Sequence, residues 1–382
     1  MRGLLNRAGR PWQEGEVVAG VSYVPKGGEK VERVTAPLTL VCDGMFSTLR
    51  KRMMDAEIHK PSFFVGVILE DCPLPCPNHG HVVLADPSPI LFYPISSTEV
   101  RCLVDIKGDK LPSAGNGDLA KYMQEVVGPQ LPRTLQGPFL AAVEKGRFRS
   151  MQNKAMAAKP VCHAGAVMLG DSYNMRHPIT GGGMTVALHD TQLLCEMLHP
   201  LPNFDDPLAT ASQTTSFFKA RKPWAGTINT LANALYLVFC RNGQRWGDVM
   251  QEACFQYLKK GGWYAAGPVS LLSGLAPKPY VLVTHFFMVA LYGVGGLLAP
   301  FPTPRSALLG LQLLWGALGI ILPIVRAEGI RAVFFPSLVA DPRVPGRGRA
   351  AALAGPVAAV ALAVALAVLA QRWVQSPPAE AA

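Results

Sequence analysis

A glycine-rich stretch near the middle of the chain constrains the fold more than any other feature. Residues 170–190, GDSYNMRHPITGGGMTVALHD, follow a run of small and apolar residues at 164–169. This order predicts a buried strand, a polar turn with Asp171 at the strand end, and a helix that begins at the glycines. Its helical spacing is carried by Met184, Leu188, Thr191 and Cys195. Such a stretch is typical of a cofactor-binding corner, since glycines admit a close ligand and helix-start N–H groups bind anions or carbonyl oxygens; a plain strand-to-helix loop is the alternative.

A second motif precedes the glycine-rich stretch by about 130 residues. Residues 39–50, TLVCDGMFSTLR, predict an apolar strand, an Asp43–Gly44 turn and a helix with Ser47 and Arg50. An Asp-Gly pair alone is a common turn. With the Ser and Arg that follow, the pair matches a fingerprint of flavin-dependent monooxygenases. A chance match of both this motif and the glycine-rich stretch, in the right order, is improbable.

Further segments make the resemblance specific. The chain resembles the squalene epoxidase (squalene monooxygenase) family, especially its plant and algal members, over Val17 to Pro336. Besides the two motifs, the segments that carry the resemblance are NHGHVVLADPSPILFYPISSTEVRCLVDI, ALYLVFC, GPVSLLSGLAPKP, HFFMVALYGVG and AEGIRAVFFP. It implies an FAD-dependent monooxygenase fold of the para-hydroxybenzoate hydroxylase type, α/β plus α+β, with C-terminal membrane-associated helices.

One family element is not found in this sequence. In doubly wound flavin folds a GxGxxG helix start holds the pyrophosphate, and an acid about twenty residues further on holds the ribose. Residues 1–16, MRGLLNRAGRPWQEGE, do not show that pattern, and the stretch with the family's active-site tyrosine is missing too. We therefore expect an N-terminally truncated enzyme that binds isolated FAD weakly.

Short apolar runs between turn signals predict an antiparallel sheet in the first third of the chain. The runs are Thr35–Cys42, Phe63–Leu69, His81–Ala85, Ile90–Ile95 and Val100–Ile106. In two-domain flavin monooxygenases such a sheet covers the substrate. Helical segments are expected around 119–127, 138–145 and within 207–263.

The resulting domain plan has six parts. They are the remainder of the FAD-binding domain with the DG motif (1–50), the substrate-domain sheet (51–150), the GD motif and helix (151–200), a helical segment lining the substrate pocket (201–278), membrane-associated helices (279–340), and a basic linker with an Ala-rich, potentially transmembrane tail (341–382).

The resemblance also assigns site residues. For FAD they are Asp43, Gly44, Arg50, Asp171, Gly181, Gly182, Gly183 and Met184. For a long apolar substrate they are Leu84, Tyr93, Leu103, Pro178, Ile179, Phe239, Phe255, Leu258, Leu271 and His285. Arg176 and His177 are expected to orient the loop by hydrogen bonding, with proton transfer as the alternative. No catalytic nucleophile and no metal ligands are assigned, because the flavin carries the difficult step.

The implied reaction is FAD-dependent epoxidation of squalene to (S)-2,3-oxidosqualene in sterol biosynthesis, through a flavin C4a-hydroperoxide formed with O2. Electrons would come from NADPH through NADPH–cytochrome P450 reductase, and the implied location is the cytosolic face of the endoplasmic reticulum membrane. Two alternatives stay open: a membrane-associated fragment without catalysis, and a flavin-dependent isoprenoid reductase, which would share the DG and GD motifs.

Charge and cysteine content restrict the classes of partner that the protein could bind. The net charge is +10 and the basic residues are scattered, which argues against nucleic-acid binding and favours a face on anionic lipid. Of the eight cysteines, Cys72 and Cys76 form one close pair without a second pair at zinc spacing, so we expect reduced thiols and no structural zinc.

Three late apolar runs predict contact with a membrane. They are Tyr280–Pro302, Ala307–Val325 and Ala350–Ala370, and a spanning helix needs about twenty apolar residues. Prolines at 300, 302, 304 and 323 are expected to break the first two runs, which could then lie in one leaflet. The third run, flanked by arginines, is either a spanning helix or a low-complexity extension.

Overall fold

The computed structural model describes residues 3–344 of the chain. The strands are β1 (Gly3–Asn6), β2 (Val18–Tyr23), β3 (Glu32–Thr35), β4 (Thr39–Val41), β5 (Ser62–Glu70), β6 (His81–Val83), β7 (Ile90–Pro94), β8 (Glu99–Lys107), β9 (Arg149–Gln152) and β10 (Ala166–Met168). The helices are α1 (Arg50–Met53), α2 (Asp118–Tyr122), α3 (Arg133–Glu144), α4 (Gly183–Leu198), α5 (Pro207–Thr214), α6 (Phe217–Phe239), α7 (Arg245–Lys259), α8 (Trp263–Leu272), α9 (Pro279–Leu298), α10 (Pro304–Glu328) and α11 (Ile330–Phe334).

The two motif strands, β4 and β10, pair in parallel with Thr39 opposite Ala166 and Val41 opposite Met168. Val41 and Met168 are buried in a common core. Because neighbouring parallel strands end at the same edge of a sheet, the turns that follow them also meet there. The predicted apolar strand before each motif is confirmed.

A small antiparallel sheet, β1–β2–β3, packs beside this pair and was not predicted. Leu4, Trp12 and Val18 bring it into the same core as Val41. The single strand expected over 35–42 was wrong, since β3 ends at Thr35 and β4 begins at Thr39. Pro37 lies between them, and a proline cannot donate a hydrogen bond to a strand partner.

The predicted antiparallel sheet of the substrate domain is confirmed, with five strands in the order β6–β7–β8–β5–β9. Its two faces differ in what they contact. Val65, Val67 and Leu69 of β5 pack in one core with α3, whereas Phe64 packs on the other side with residues of α6 and α7. This alternation is what a pleated strand buried on both faces requires. The edge strand β9, of sequence RSMQ, lacked the apolar pattern and was missed.

Helices α6 to α11 form the C-terminal part of the described chain. Gly293 of α9 allows close packing, because a Cβ there would lie 2.9 Å from Leu313 of α10 and 3.1 Å from Ala253 of α7. Pro323 lies inside α10 and does not end it, which corrects the expected break. Pro300 and Pro302 do fall at the turn between α9 and α10, and Pro304 is the first residue of α10. The Ala350–Ala370 run lies outside the described residues.

Helices α9 and α10 are both long and apolar enough to cross a membrane, with mean hydropathy of 1.9 and 2.2 in their best windows. Only 22% and 33% of those windows are buried within the protein. On α10 the uncovered face includes Leu308, Leu311 and Trp315, the last being 77% exposed. An uncovered apolar face of this size indicates contact with another apolar phase.

Candidate functional site

Arg50 joins the two sequence motifs. Its Nη1 donates a hydrogen bond to the Asp171 carbonyl oxygen at 3.1 Å, and its Nη2 donates to the Met45 carbonyl oxygen at 3.1 Å. Ser47 Oγ accepts from the Arg50 backbone N–H at 3.0 Å, which fixes the start of α1. Burial lowers the pKa of Arg50, while the charges of Asp43 and Asp171 oppose that shift. The DG and GD motifs therefore meet at one guanidinium group.

The turn after β10 is tied to β4 by a serine. Ser172 Oγ lies 2.5 Å from the Val41 carbonyl oxygen and 2.6 Å from the Leu169 carbonyl oxygen. Both motif carboxylates, on Asp43 and Asp171, are exposed at this strand edge. An exposed carboxylate on a fixed turn can accept hydrogen bonds from the hydroxyl groups of a ligand.

The three glycines of the loop that follows have different structural roles. Gly181 has φ +65°, the left-handed conformation that side chains disfavour. A Cβ on Gly182 would lie 2.8 Å from Ile228 of α6, so this glycine permits close packing. A Cβ on Gly183 would meet no atom within 4 Å. Within residues 3–344 the N–H groups of Gly183 and Met184 have no acceptor, and Met184 is 75% exposed, so this helix start is open to a ligand.

Arg176 holds the same loop from inside the protein. Its Nη1 lies 3.2 Å from the Gly182 carbonyl oxygen and 3.3 Å from that of Gly183, and its Nη2 donates to the Asn174 carbonyl oxygen at 2.6 Å. Burial, with repulsion from Arg221, lowers the pKa of Arg176 to about 10. A guanidinium that binds carbonyl oxygens on both sides of the loop orients it.

Buried charges fix α4 and α6 behind the loop, and sequence reasoning did not find them. Arg221 of α6 forms a two-pronged ion pair with Asp190 of α4, at 2.8 and 2.6 Å. Its Nη2 also donates to Asn174 Oδ1 at 3.2 Å. Asp190 is buried, while the positions that carried the predicted helical spacing are exposed, Leu188 by 67%. The helix was predicted correctly, but the sequence pattern did not identify the side of the helix that is buried.

A cavity of about 1000 Å³ lies between the substrate-domain sheet and the C-terminal helices. All residues that the sequence assigned to an apolar substrate line this cavity, and their role stays a prediction: Leu84, Tyr93, Leu103, Pro178, Ile179, Phe239, Phe255, Leu258, Leu271 and His285. Further lining residues that were not assigned include Phe92, Met250, Leu282 and Val289. The volume is at the upper end of the range for ligand sites, about 300 to 1000 Å³.

His285 lines the cavity and forms a polar pair with Tyr257. His285 Nδ1 and the Tyr257 hydroxyl are 2.8 Å apart, and the His285 ring packs against Trp263 at 4.3 Å between ring centres. Gly267 makes room for this histidine, since a Cβ there would lie 1.9 Å from His285 Nε2. The other polar side chains of the lining are His81, Tyr93, Thr180 and Glu252, and the rest of the wall is apolar, which suits a hydrocarbon ligand.

The cavity and the glycine loop share one turn of the backbone. Pro178, Ile179 and Gly181 line the cavity, and the chain continues directly to Gly183 at the start of α4. A ligand bound in the cavity therefore has one wall in common with a ligand bound at the loop.

The remaining candidate chemistry concerns metal ligands and thiols. Among residues 3–344 no group of three or more His, Cys, Asp or Glu side chains is placed to hold a metal ion. The eight cysteines are unpaired thiols, and Cys102, Cys240 and Cys254 are buried.

Solved structures share the fold. The Klebsiella pneumoniae protein HpxO, solved in complex with FAD and uric acid, superposes with a TM-score of 0.52 at 14% identity, over 69% of this chain and 65% of HpxO. The flavin-dependent brominase Bmp2 superposes with a TM-score of 0.51 at 16% identity, over 74% of this chain and 68% of Bmp2. The expected fold class, that of FAD-dependent monooxygenases, is confirmed.

Sequence comparison identifies the family. This chain is 54% identical to Squalene epoxidase 1 of Arabidopsis thaliana over 86% of its own length and 61% of that protein. It is 53% identical to Squalene monooxygenase SE2 of Panax ginseng over 84% of this chain and 59% of that protein. It is 40% identical to mouse (Mus musculus) squalene monooxygenase over 83% of this chain and 55% of that protein.

The chain thus spans about three fifths of the length of the curated relatives it matches. A family model, squalene epoxidase, matches residues 35–309. The chain belongs to the squalene epoxidase family.

Proposed function

We propose that this chain forms the greater part of an FAD-dependent monooxygenase that converts squalene to (S)-2,3-oxidosqualene. The observation that carries the proposal is the apolar cavity of about 1000 Å³, whose wall at Pro178 to Gly181 continues into the open glycine loop. A long hydrocarbon in the cavity would reach a cofactor at the loop without crossing water. The names of the family and of its curated relatives support this substrate.

The residues at the loop fit part of an FAD molecule. Asp171 offers an exposed carboxylate for ribityl hydroxyl groups, and the free N–H groups of Gly183 and Met184 can bind a pyrimidine carbonyl oxygen. The open space at Gly181 and Gly183 leaves room for the ring to approach. A flavin bound here would supply oxygen activation, with O2 as the oxidant and NADPH as the source of electrons.

The protein's own part in the reaction is placement and exclusion of water. Apolar side chains around the cavity, such as Phe239 and Leu271, hold a hydrocarbon without offering it hydrogen bonds. The N–H groups at the start of α4 are already oriented by the helix, so they can stabilise negative charge on a bound ligand without the reorganisation that solvent would need. These effects need no protein nucleophile.

Membrane association is the second element of the proposal. The uncovered apolar faces of α9 and α10 support a lipid-facing surface, through which squalene would enter from the bilayer. We further infer that NADPH–cytochrome P450 reductase delivers the electrons and that the enzyme faces the cytosol from the endoplasmic reticulum. These two points rest on the resemblance to the family.

The test uses two proteins: the 382-residue chain, and a fusion protein in which the chain is joined to the N-terminal dinucleotide-binding segment of Arabidopsis thaliana Squalene epoxidase 1. Each is incubated in membranes with FAD, NADPH, cytochrome P450 reductase and squalene, and 2,3-oxidosqualene is measured by mass spectrometry. We expect product from the fusion protein and little from the chain alone. A fusion protein that binds FAD stoichiometrically yet forms no epoxide would contradict the function and favour a fragment without catalysis.

A further inference from the structure

We propose that Asp105 and His177 are positioning residues for oxygen transfer: through a buried hydrogen-bond network they fix the turn that the substrate cavity and the glycine loop share. The inference rests on the proposed function. The network consists of Ser62 on β5, Asp105 on β8, Asn153 next to β9, His177 before the shared turn, and Tyr236 on α6.

The Asp105 carboxylate is the centre of the network and is 2% exposed. Its Oδ1 accepts from Ser62 Oγ at 2.5 Å and from Asn153 Nδ2 at 3.0 Å. Its Oδ2 accepts from the Tyr236 hydroxyl at 3.1 Å. Three donors from three separate elements satisfy a buried carboxylate, as burial of a charge requires.

His177 connects this carboxylate to the shared turn. Its Nδ1 accepts from the Ile179 backbone N–H at 3.3 Å, so in the neutral ring the proton is on Nε2, which lies 3.2 Å from Ser62 Oγ. The ring stacks on Tyr236 with 3.8 Å between centres, and the backbone N–H donates to Asn233 Oδ1 at 3.1 Å. Burial lowers the pKa of His177 against the opposing effect of Asp105, which keeps the ring neutral near pH 7.

Two consecutive residues therefore hold the two sides of the site. His177 fixes Ile179, which lines the cavity, and Arg176 fixes the carbonyl oxygens of Gly182 and Gly183. The position of the cavity wall relative to the loop depends on both.

Stability alone is a poor reason for such a network. Apolar residues of similar volume often stabilise a core as well as, or better than, buried ions, whereas polar groups fix one geometry because their partners must match. A small misplacement of the substrate slows the reaction, since an error of about 1 Å can lower the rate by up to about 100-fold.

The predicted consequence is uncoupling. When the cavity wall shifts, the alkene is misplaced while flavin reduction continues, so electrons from NADPH reduce O2 to hydrogen peroxide instead of forming epoxide and water. The ratio of epoxide formed to NADPH oxidised should fall, with hydrogen peroxide accounting for the difference.

The experiment compares Asp105→Asn, His177→Gln and Tyr236→Phe in the fusion protein with Thr227→Val, which removes a buried hydroxyl of α6 outside the network. We expect the epoxide-to-NADPH ratio to fall about tenfold or more in the first two variants and less in Tyr236→Phe, which keeps the stacked ring, at unchanged flavin content. Thr227→Val should keep the wild-type ratio even if it melts at a lower temperature.

A second measurement needs neither flavin nor activity. In the 382-residue chain in detergent, hydrogen exchange over residues 175–185 should accelerate in Asp105→Asn and not in Thr227→Val. Unchanged hydrogen exchange over these residues would overturn the proposal, and so would faster exchange with an unchanged ratio of epoxide to NADPH. If Asp105→Asn does not fold, hydrogen exchange and the epoxide-to-NADPH ratio are measured on Tyr236→Phe instead, with the same criteria. Absence of epoxide from the unsubstituted fusion protein would instead reject the proposed function.

Discussion

Lys222 Nζ lies 2.5 Å from Glu328 Oε2, and both side chains are almost completely buried. The pair joins α6 to the last turn of α10, one of the two long apolar helices. Asn229 Nδ2 adds a bond of 3.1 Å to the other Glu328 oxygen, and its neighbour in space, Asn174, belongs to the GD turn. The apolar helix is thus connected to the candidate flavin site through polar side chains.

Breaking this pair on one side should be costly. Burial lowers the pKa of Lys222 although Glu328 opposes the shift, so each charge depends on the other. We expect Lys222→Met to destabilise the protein by about 3 to 5 kcal/mol, and a double variant with Glu328→Leu to recover most of the loss. Urea unfolding in detergent, followed by tryptophan fluorescence, measures both. A double variant as unstable as the single one would contradict the account.

Gly267 should not tolerate a side chain. A Cβ at this position would lie 1.9 Å from His285 Nε2, so Gly267→Ala must displace the His285 ring or separate α8 from α9, and either change disturbs the cavity wall. We expect a loss of about 1 to 3 kcal/mol in unfolding free energy and weaker squalene use. Gly296→Ala is the matched control, because a Cβ there meets no atom within 4 Å. Equal stability of the two variants would show that the packing at Gly267 is not as described.

The exposed face of α10 should determine membrane attachment. Substituting Leu308, Leu311 and Trp315 together by Asp should move the protein from membranes to the high-salt soluble fraction, since these side chains are exposed and apolar. The melting temperature should change little. If the triple variant still pellets with membranes in high salt, another surface anchors the protein.

Acidification should destabilise the fold between pH 7 and pH 5. Burial lowers the pKa values of His163, His177 and His189 below the usual 6.5, so the unfolded chain binds more protons than the folded one in this range. The stability that these neutral rings contribute is present above pH 6.5 and is lost as the pH falls through that value. Melting temperatures at pH 7.5 and pH 5.5 test the sign, and an equal or higher value at pH 5.5 would contradict it.

Sequence patterns predicted the parts of the fold that depend on short apolar runs and on motifs. Phe63 to Leu69 alternates between two buried faces, and β5 forms there. The segment similarities placed cavity residues as distant as Leu84 and His285 in one lining. The first prediction depends on a local sequence pattern, and the second is what the resemblance to the family implied.

The structural features that the sequence did not predict depend on contacts between residues that are distant in the chain. Asp190, Arg221 and Lys222 are of residue types that normally lie at a surface, yet each is buried against an opposite charge. Pro323 was expected to break a helix that continues to Glu328, because packing against neighbouring helices outweighs one lost hydrogen bond. The strands β1 to β3 are short and partly polar, so nothing in their sequence distinguishes them from loops.

The central claim is that the glycine loop binds the flavin and the adjoining cavity binds squalene. The most direct test measures flavin content and 2,3-oxidosqualene formation in the fusion protein for Asp171→Ala and Phe255→Ala with excess FAD. Charge-assisted hydrogen bonds are worth about 1.5 to 3 kcal/mol each, so losing two should weaken flavin binding about a hundredfold or more. Phe255 lines only the cavity, and its loss should impair squalene use while flavin stays bound. The account predicts these separate defects; equal flavin loss in both variants, or full activity in Asp171→Ala, would contradict it.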